Sequence, residues 1–172
     1  MNPVAEDLGI SRCNGLVAGR GGNDTLLGSA GLDRLFGGAG DDLALGGTGR
    51  DGLFGNAGND TMNGNDGDDR FFGGSGNDAL NGGTGVDTLN AGAGFDTLNG
   101  GAGDDLLLGR FNADFFIFED GHGNDTIADF TPLNRFEHID FSNVSALNTL
   151  ADLDLSSPLN GAATQSGSDV II

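Results

Sequence analysis

Residues 73–90 read GGSGNDALN followed by GGTGVDTLN, two nine-residue units with Gly at positions one, two and four, Asp at six and Leu at eight. The same frame runs without a gap through ten units, from Gly19 to Leu108. Position six is Asp in every unit: Asp24, Asp33, Asp42, Asp51, Asp60, Asp69, Asp78, Asp87, Asp96 and Asp105. Position eight is Leu26, Leu35, Ala44, Leu53, Met62, Phe71, Leu80, Leu89, Leu98 and Leu107, with Ala44 the one weak member. A single GxGxD would say little, but ten copies in one register define a repeat protein.

The unit can be read physically. Glycines at positions one, two and four permit positive φ and close backbone approach, so the first six residues are expected to turn and the last three to form a short strand. Side chains alternate along a strand, which sends position eight inward and positions seven and nine outward. Two units then make one flattened coil of eighteen residues, and successive coils stack with parallel strands about 4.8 Å apart.

That stacking places each Asp beside the Asp eighteen residues away. Two columns result, one running from Asp24 through Asp42, Asp60 and Asp78 to Asp96, the other from Asp33 through Asp51, Asp69 and Asp87 to Asp105. Carboxylates about 5 Å apart repel by roughly 0.8 kcal/mol in water and about 3 kcal/mol at an effective dielectric near 20. A cation between turns removes this cost. Ca²⁺ suits the place because it accepts six or more oxygen ligands, and Gly-rich turns offer backbone carbonyls beside the carboxylates.

The pattern GGxGxDxUx, with U a large apolar residue, resembles the nonapeptide of the repeats-in-toxin family, strongly over residues 19–108 and less regularly to about residue 142. The resemblance implies an all-β parallel β-roll, a right-handed solenoid with two nonapeptides per coil and a C-terminal β-rich cap. It also implies Ca²⁺ between successive turns, held by the Asp columns and the carbonyls of Gly22, Gly31, Gly40, Gly49, Gly58, Gly67, Gly76, Gly85, Gly94 and Gly103. Pairs from Asp24/Asp42 to Asp87/Asp105 make about eight sites. Asp114, in an eleventh unit where Phe111 and Asn112 replace the small residue and Gly, and Asp125, after a two-residue frame slip, would add one or two.

The stretch FFIFEDGHGNDTIADF followed by HIDFSNV is similar to the C-terminal flank of such proteins, serralysins included, with Phe116, Phe118, Ile127, Phe130, Ile139 and Phe141 alternating as in closing strands. The expected organisation is a leader or cap over 1–18, a roll over 19–117, capping strands over 118–142 and a truncated tail over 143–172. A short helix near Ala146–Leu153 and a turn into a strand over Ser166–Ile172 are expected within that tail. The family resemblance further implies folding outside the cell, secretion by type I machinery and an extracellular location. The alternative is the C-terminal part of a larger secreted protease, lipase or cytolysin.

Composition agrees with a cation-dependent roll. Of 172 residues 34 are Gly, none is Lys, Trp or Tyr, and the net charge is −19, a field that repels nucleic acid and attracts cations. Residues 1–18 contain neither a long apolar run nor room for a catalytic domain, and no membrane-spanning segment is expected. HExxH and GxSxG are both absent, so no enzyme is expected; His122 and His138 read as cap histidines, and Cys13 alone makes no disulfide. At position three no Thr row forms, which argues against ice binding. Position nine carries Phe36, Phe54 and Phe72 eighteen residues apart, an outward aromatic ladder and a candidate docking face for a missing domain or partner.

Overall fold

A computed structural model of the chain describes residues 7–8, 15–130, 137–144, 163–166 and 169–171. Among these there is no helix, and the strands fall into two sheets. One sheet holds β1 (Asp7–Leu8), β3 (Thr25–Ala30), β5 (Leu43–Thr48), β7 (Thr61–Asp66), β9 (Ala79–Thr84), β11 (Thr97–Ala102), β13 (Phe115–Glu119) and β15 (His138–Asn143). The other holds β2 (Leu16–Gly21), β4 (Arg34–Ala39), β6 (Gly52–Ala57), β8 (Arg70–Ser75), β10 (Thr88–Ala93), β12 (Leu106–Phe111) and β14 (Thr126–Ile127), followed by β16 (Ala163–Ser166) and β17 (Asp169–Ile171). From β1 to β15 consecutive strands alternate between the sheets, and through β13 neighbours within a sheet pair in parallel at a spacing of eighteen, as in Thr25 with Leu43 and Leu35 with Leu53. The fold is therefore the expected parallel β-solenoid with two nonapeptides per coil.

The strands are longer than the sequence suggests. Each regular one has six residues, positions seven to nine of one unit and one to three of the next, so the turn shrinks to positions four to six. The expected positive φ is found at positions two and four but not at position one, and positions one to three belong to the strand rather than the turn. Left-handed φ occurs at position two, where Asn56 and Asn65 adopt it as readily as Gly38, and at position four, where Gly40 has φ of 126°. Position one keeps ordinary extended backbone and faces inward, buried beside position eight. Gly stands there for space: a Cβ on Gly37 would meet the Asp42 carboxylate.

The core is narrow, one inward column of side chains from each sheet. It runs from Val17 through Leu26, Leu35, Ala44, Leu53, Met62, Phe71, Leu80, Leu89, Leu98 and Leu107 to Phe116, Phe118 and Ile127, all buried. Each large member stabilises by about 2 kcal/mol. Ala44, the small one, stacks between Leu26 and Met62 in the sheet register.

Both ends differ from the repeat. Upstream of Gly19, β1 and β2 already pair at the eighteen-residue spacing, Asp7 with Thr25 and Leu16 with Arg34. Downstream, Leu106 pairs with Thr126 and Leu107 with Ile127, a spacing of twenty that matches the expected frame slip. Phe130, Ile139 and Phe141 pack on the core, with Phe118 and Phe141 stacked at 5.1 Å and Phe116 edge-on to Phe130. Then the parallel order ends: β16 runs antiparallel to β14, and β17 antiparallel to β16. The expected strand near the C-terminus thus exists as β17, whereas the helix expected near 146–153 lies outside the described residues.

Candidate metal centre

Position six begins the connection into each strand, and the tight turn before it folds the Asp side chain under the coil. All ten repeat aspartates, with Asp114 and Asp125, are buried to 4% exposure or less. A buried carboxylate needs partners. One oxygen has an unambiguous one. The backbone N–H of Asp24 donates to Asp42 Oδ1, that of Asp42 to Asp60 Oδ1, that of Asp60 to Asp78 Oδ1 and that of Asp78 to Asp96 Oδ1, at 2.8 to 2.9 Å. The second column repeats this from Asp33 through Asp51, Asp69 and Asp87 to Asp105 at 2.7 to 2.8 Å.

The other oxygen differs. From Asp33 to Asp105, each column aspartate has a buried Oδ2 with no hydrogen-bond partner. A row of orphaned anionic oxygens is costly unless a cation or a proton meets it. Burial accordingly pushes the carboxyls of Asp69 and Asp78 up to about 7 and those of Asp60, Asp87 and Asp114 up to about 6. Asp42, Asp51, Asp96 and Asp105 move in the same direction. Desolvation is the largest cause, the accepted backbone N–H opposes it, and for most of them carboxylates of neighbouring turns add to it.

Backbone oxygens line the same turns. The position-three and position-six carbonyls are committed between coils, as in Gly22 N–H to Ala39 O and Leu43 N–H to Asp24 O. The position-four carbonyls face the following turn, so that a side chain on Gly40 would collide with Gly22 O and one on Gly58 with Gly40 O. Among the described residues no three His, Cys, Asp or Glu side chains converge on one point. A cation between two turns would therefore find two carboxylates and draw its other ligands from carbonyls, a donor set of hard oxygens that fits Ca²⁺.

The columns run past the regular repeat. Asp96 N–H donates to Asp114 Oδ1 at 3.0 Å despite the altered eleventh turn, where Asn112 takes the left-handed conformation of the missing Gly. Asp105 N–H donates to Asp125 Oδ1 at 2.9 Å, and Asp125 Oδ2 lies 3.1 Å from Nδ1 of the buried His122. His138 instead stacks on Phe115.

Several contributors escaped the sequence reading. Gly15 takes position six of a coil before the first Asp, and its N–H donates to Asp33 Oδ1 at 2.6 Å. Counting back nine from Asp24 would have found it. Position five forms a second, exposed ladder of opposite sense: Asp41 N–H donates to Asn23, Asn59 N–H to Asp41 and Asn77 N–H to Asn59, at 2.7 to 3.0 Å. Its signal is a polar residue every eighteen positions, hidden when all units share one nine-residue column. Asp129 receives the N–H groups of Gly109 and Arg110 and carries no sequence signal.

A family model described as RTX calcium-binding nonapeptide repeat (4 copies) matches residues 18–53, 45–80 and 81–116. No curated protein matches the chain.

Proposed function

The chain belongs to the RTX calcium-binding nonapeptide repeat family, and on that premise we propose that it is a module whose folding is driven by Ca²⁺ at its two Asp columns. The roll built by such repeats is a structural calcium-binding unit rather than a catalytic one. The observation that carries the reading is the file of buried Oδ2 atoms, each beside an Oδ1 already spent on the preceding turn.

Asp24 through Asp105 supply about eight sites between successive turns, with position-four carbonyls completing them and Asp114 and Asp125 adding one or two. Bound Ca²⁺ supplies two positive charges and a demand for six or more oxygens. The chain's own part is to deliver carboxylates at fixed spacing, exclude water from them and hold each in place by a backbone N–H. Because such a site exists only after the coils stack, its binding free energy is folding free energy. Half-saturation near 0.1–1 mM, the range of extracellular modules, suits a protein that crosses membranes unfolded by a type I route and folds outside the cell.

Circular dichroism in excess chelator, followed by Ca²⁺ titration, tests this. The expected result is little β signal in chelator and a cooperative rise with Ca²⁺ but not with Mg²⁺. A full β spectrum in chelator, unchanged by Ca²⁺, would overturn it.

A further inference from the structure

On a chain of net charge −19 with seven cationic side chains, three gather at one cleft. Arg34 and Arg70 occupy position seven of β4 and β8, and the residue between them in the sheet is Gly52 of β6. Arg50 comes from the turn before β6. These arginines, with Leu32, Phe54 and Phe72, line a cleft of ≈ 280 Å³. All three arginines are exposed, and among the described residues the ion pair present is His122 with Asp125, so none of the three is held in a salt bridge.

The apolar wall is ordered. Phe36, Phe54 and Phe72 stack with centroids 4.5 and 5.1 Å apart and planes within 6°. Phe72 ends the stack, since the register continues to Asn90, and it is 43% exposed. A Cβ on Gly52 would sit 3.2 Å from Phe54 Cε2 and 3.9 Å from Arg34 Cγ, so the ring lies across the space that the glycine leaves open between the two arginines.

We propose that this cleft binds a small organic anion, a carboxylate or phosphate joined to a flat apolar group, with the anion held by Arg34, Arg50 and Arg70 and the flat group against Phe54 and Phe72. Guanidinium forks match the planar geometry of carboxylate and phosphate, aromatic rings favour a flat apolar partner, and the volume is close to that of small-ligand pockets. Asp33 and Asp51 also border the cleft. Their charge opposes an anion until Ca²⁺ neutralises it, so the inference rests on the calcium reading and is tested with calcium-saturated protein.

The test measures binding of benzoate and phenyl phosphate to the full chain in saturating Ca²⁺, with acetate and benzyl alcohol as half-ligands and circular dichroism reporting folding separately. Benzoate should bind saturably, about 10-fold or more tighter than either half-ligand, and Arg34→Gln with Arg70→Gln should lower its affinity at least ~10-fold, the scale of a lost charge-assisted bond, with Ca²⁺-induced folding intact. If the double variant does not fold, Arg50→Gln, at a turn position that in the other units holds Asn, Asp, Leu, Val or Phe, gives the same readout. Equal binding of acetate and benzoate, or undiminished binding by the variants, would overturn the proposal. So would self-association of the free protein that the Arg variants abolish, which would make an acidic segment of a second copy the occupant. Failure of Ca²⁺-induced folding itself would instead count against the calcium reading.

Discussion

The backbone N–H of Asp60 donates to Oδ1 of Asp78 at 2.9 Å, while Asp78 Oδ2, equally buried, has no hydrogen-bond partner. On the calcium reading one carboxylate then has two jobs that substitution can separate. Asp78→Asn keeps an acceptor for the Asp60 N–H but removes a charge from the two sites flanking that turn. It should raise the Ca²⁺ needed for half-folding several-fold with little loss of stability at saturation. Asp78→Ala also strands the buried N–H, at a cost of about 1–3 kcal/mol. Melting of both variants in saturating Ca²⁺ distinguishes them, and equal melting temperatures would refute the division of labour.

The raised carboxyls fix the sign of the pH dependence. In the metal-free roll Asp69 and Asp78 lie at about 7 and Asp60 and Asp87 at about 6, all above the 3.8 of an unburied Asp, chiefly through desolvation. The folded state therefore binds more protons than the unfolded one, and the stabilisation by protons is fully present below pH 3.8 and lost as pH rises through 6 to 7. In chelator, β structure should increase as pH is lowered from 8 to 5. Protons and Ca²⁺ satisfy the same oxygens, so less Ca²⁺ should be needed for half-folding as the pH falls over the same interval, while Ca²⁺ binding to the already folded roll weakens. A midpoint independent of pH would contradict the assignment of the columns as ligands.

Gly55 has no left-handed φ, so a substitution there reports space alone. A Cβ at Gly55 would meet Asp60 Oδ2 and lie 2.7 Å from Gly73 O. Gly55→Ala should cost about 1–3 kcal/mol through overpacking and weaken Ca²⁺ binding, because the oxygen it displaces is the orphaned one. Ala91→Gly makes the reciprocal change at the one position-one site that is already Ala and buried, and should cost at most about 1 kcal/mol. Urea melts at fixed Ca²⁺ compare them.

Phe54 stacks on both Phe36 and Phe72. Phe54→Asn removes two stacking contacts worth about 0.5–1.5 kcal/mol each, and Phe36→Asn only one. The Ca²⁺ titration should keep its cooperativity in both variants, with the larger fall in melting temperature at Phe54. Loss of cooperative folding would make the ladder part of the core instead of an external brace.

What the sequence disclosed follows from what repeats every nine residues. Leu53 inside, Phe54 outside and Asp60 at the turn are all fixed by phase, and phase survives any error about lengths. Strand length was misread because Gly55 looks like a turn residue; its glycine is a vacancy kept for a carboxylate, and composition does not distinguish the two. The use of one Asp oxygen on the previous coil was equally hidden, since sequence names the acid but not the oxygen. Gly15 escaped because it lacks the marker Asp, and the antiparallel pairing of Ala163–Ser166 with Thr126–Ile127 because nothing there repeats.

The bonds within the two Asp columns all point one way: the N–H belongs to the earlier coil and the carboxylate oxygen to the later one, from Asp24 and Asp42 to Asp105 and Asp125. The columns therefore have a polarity that the strand ladders, which bond in both directions, do not share. Each buried Asp N–H finds its acceptor on the coil that follows it in sequence, so the two ends of the roll are not equivalent: removing the last coil strands a buried donor on the coil before it, whereas removing the first strands none. That polarity is written into which of two stacked aspartates lends its side chain.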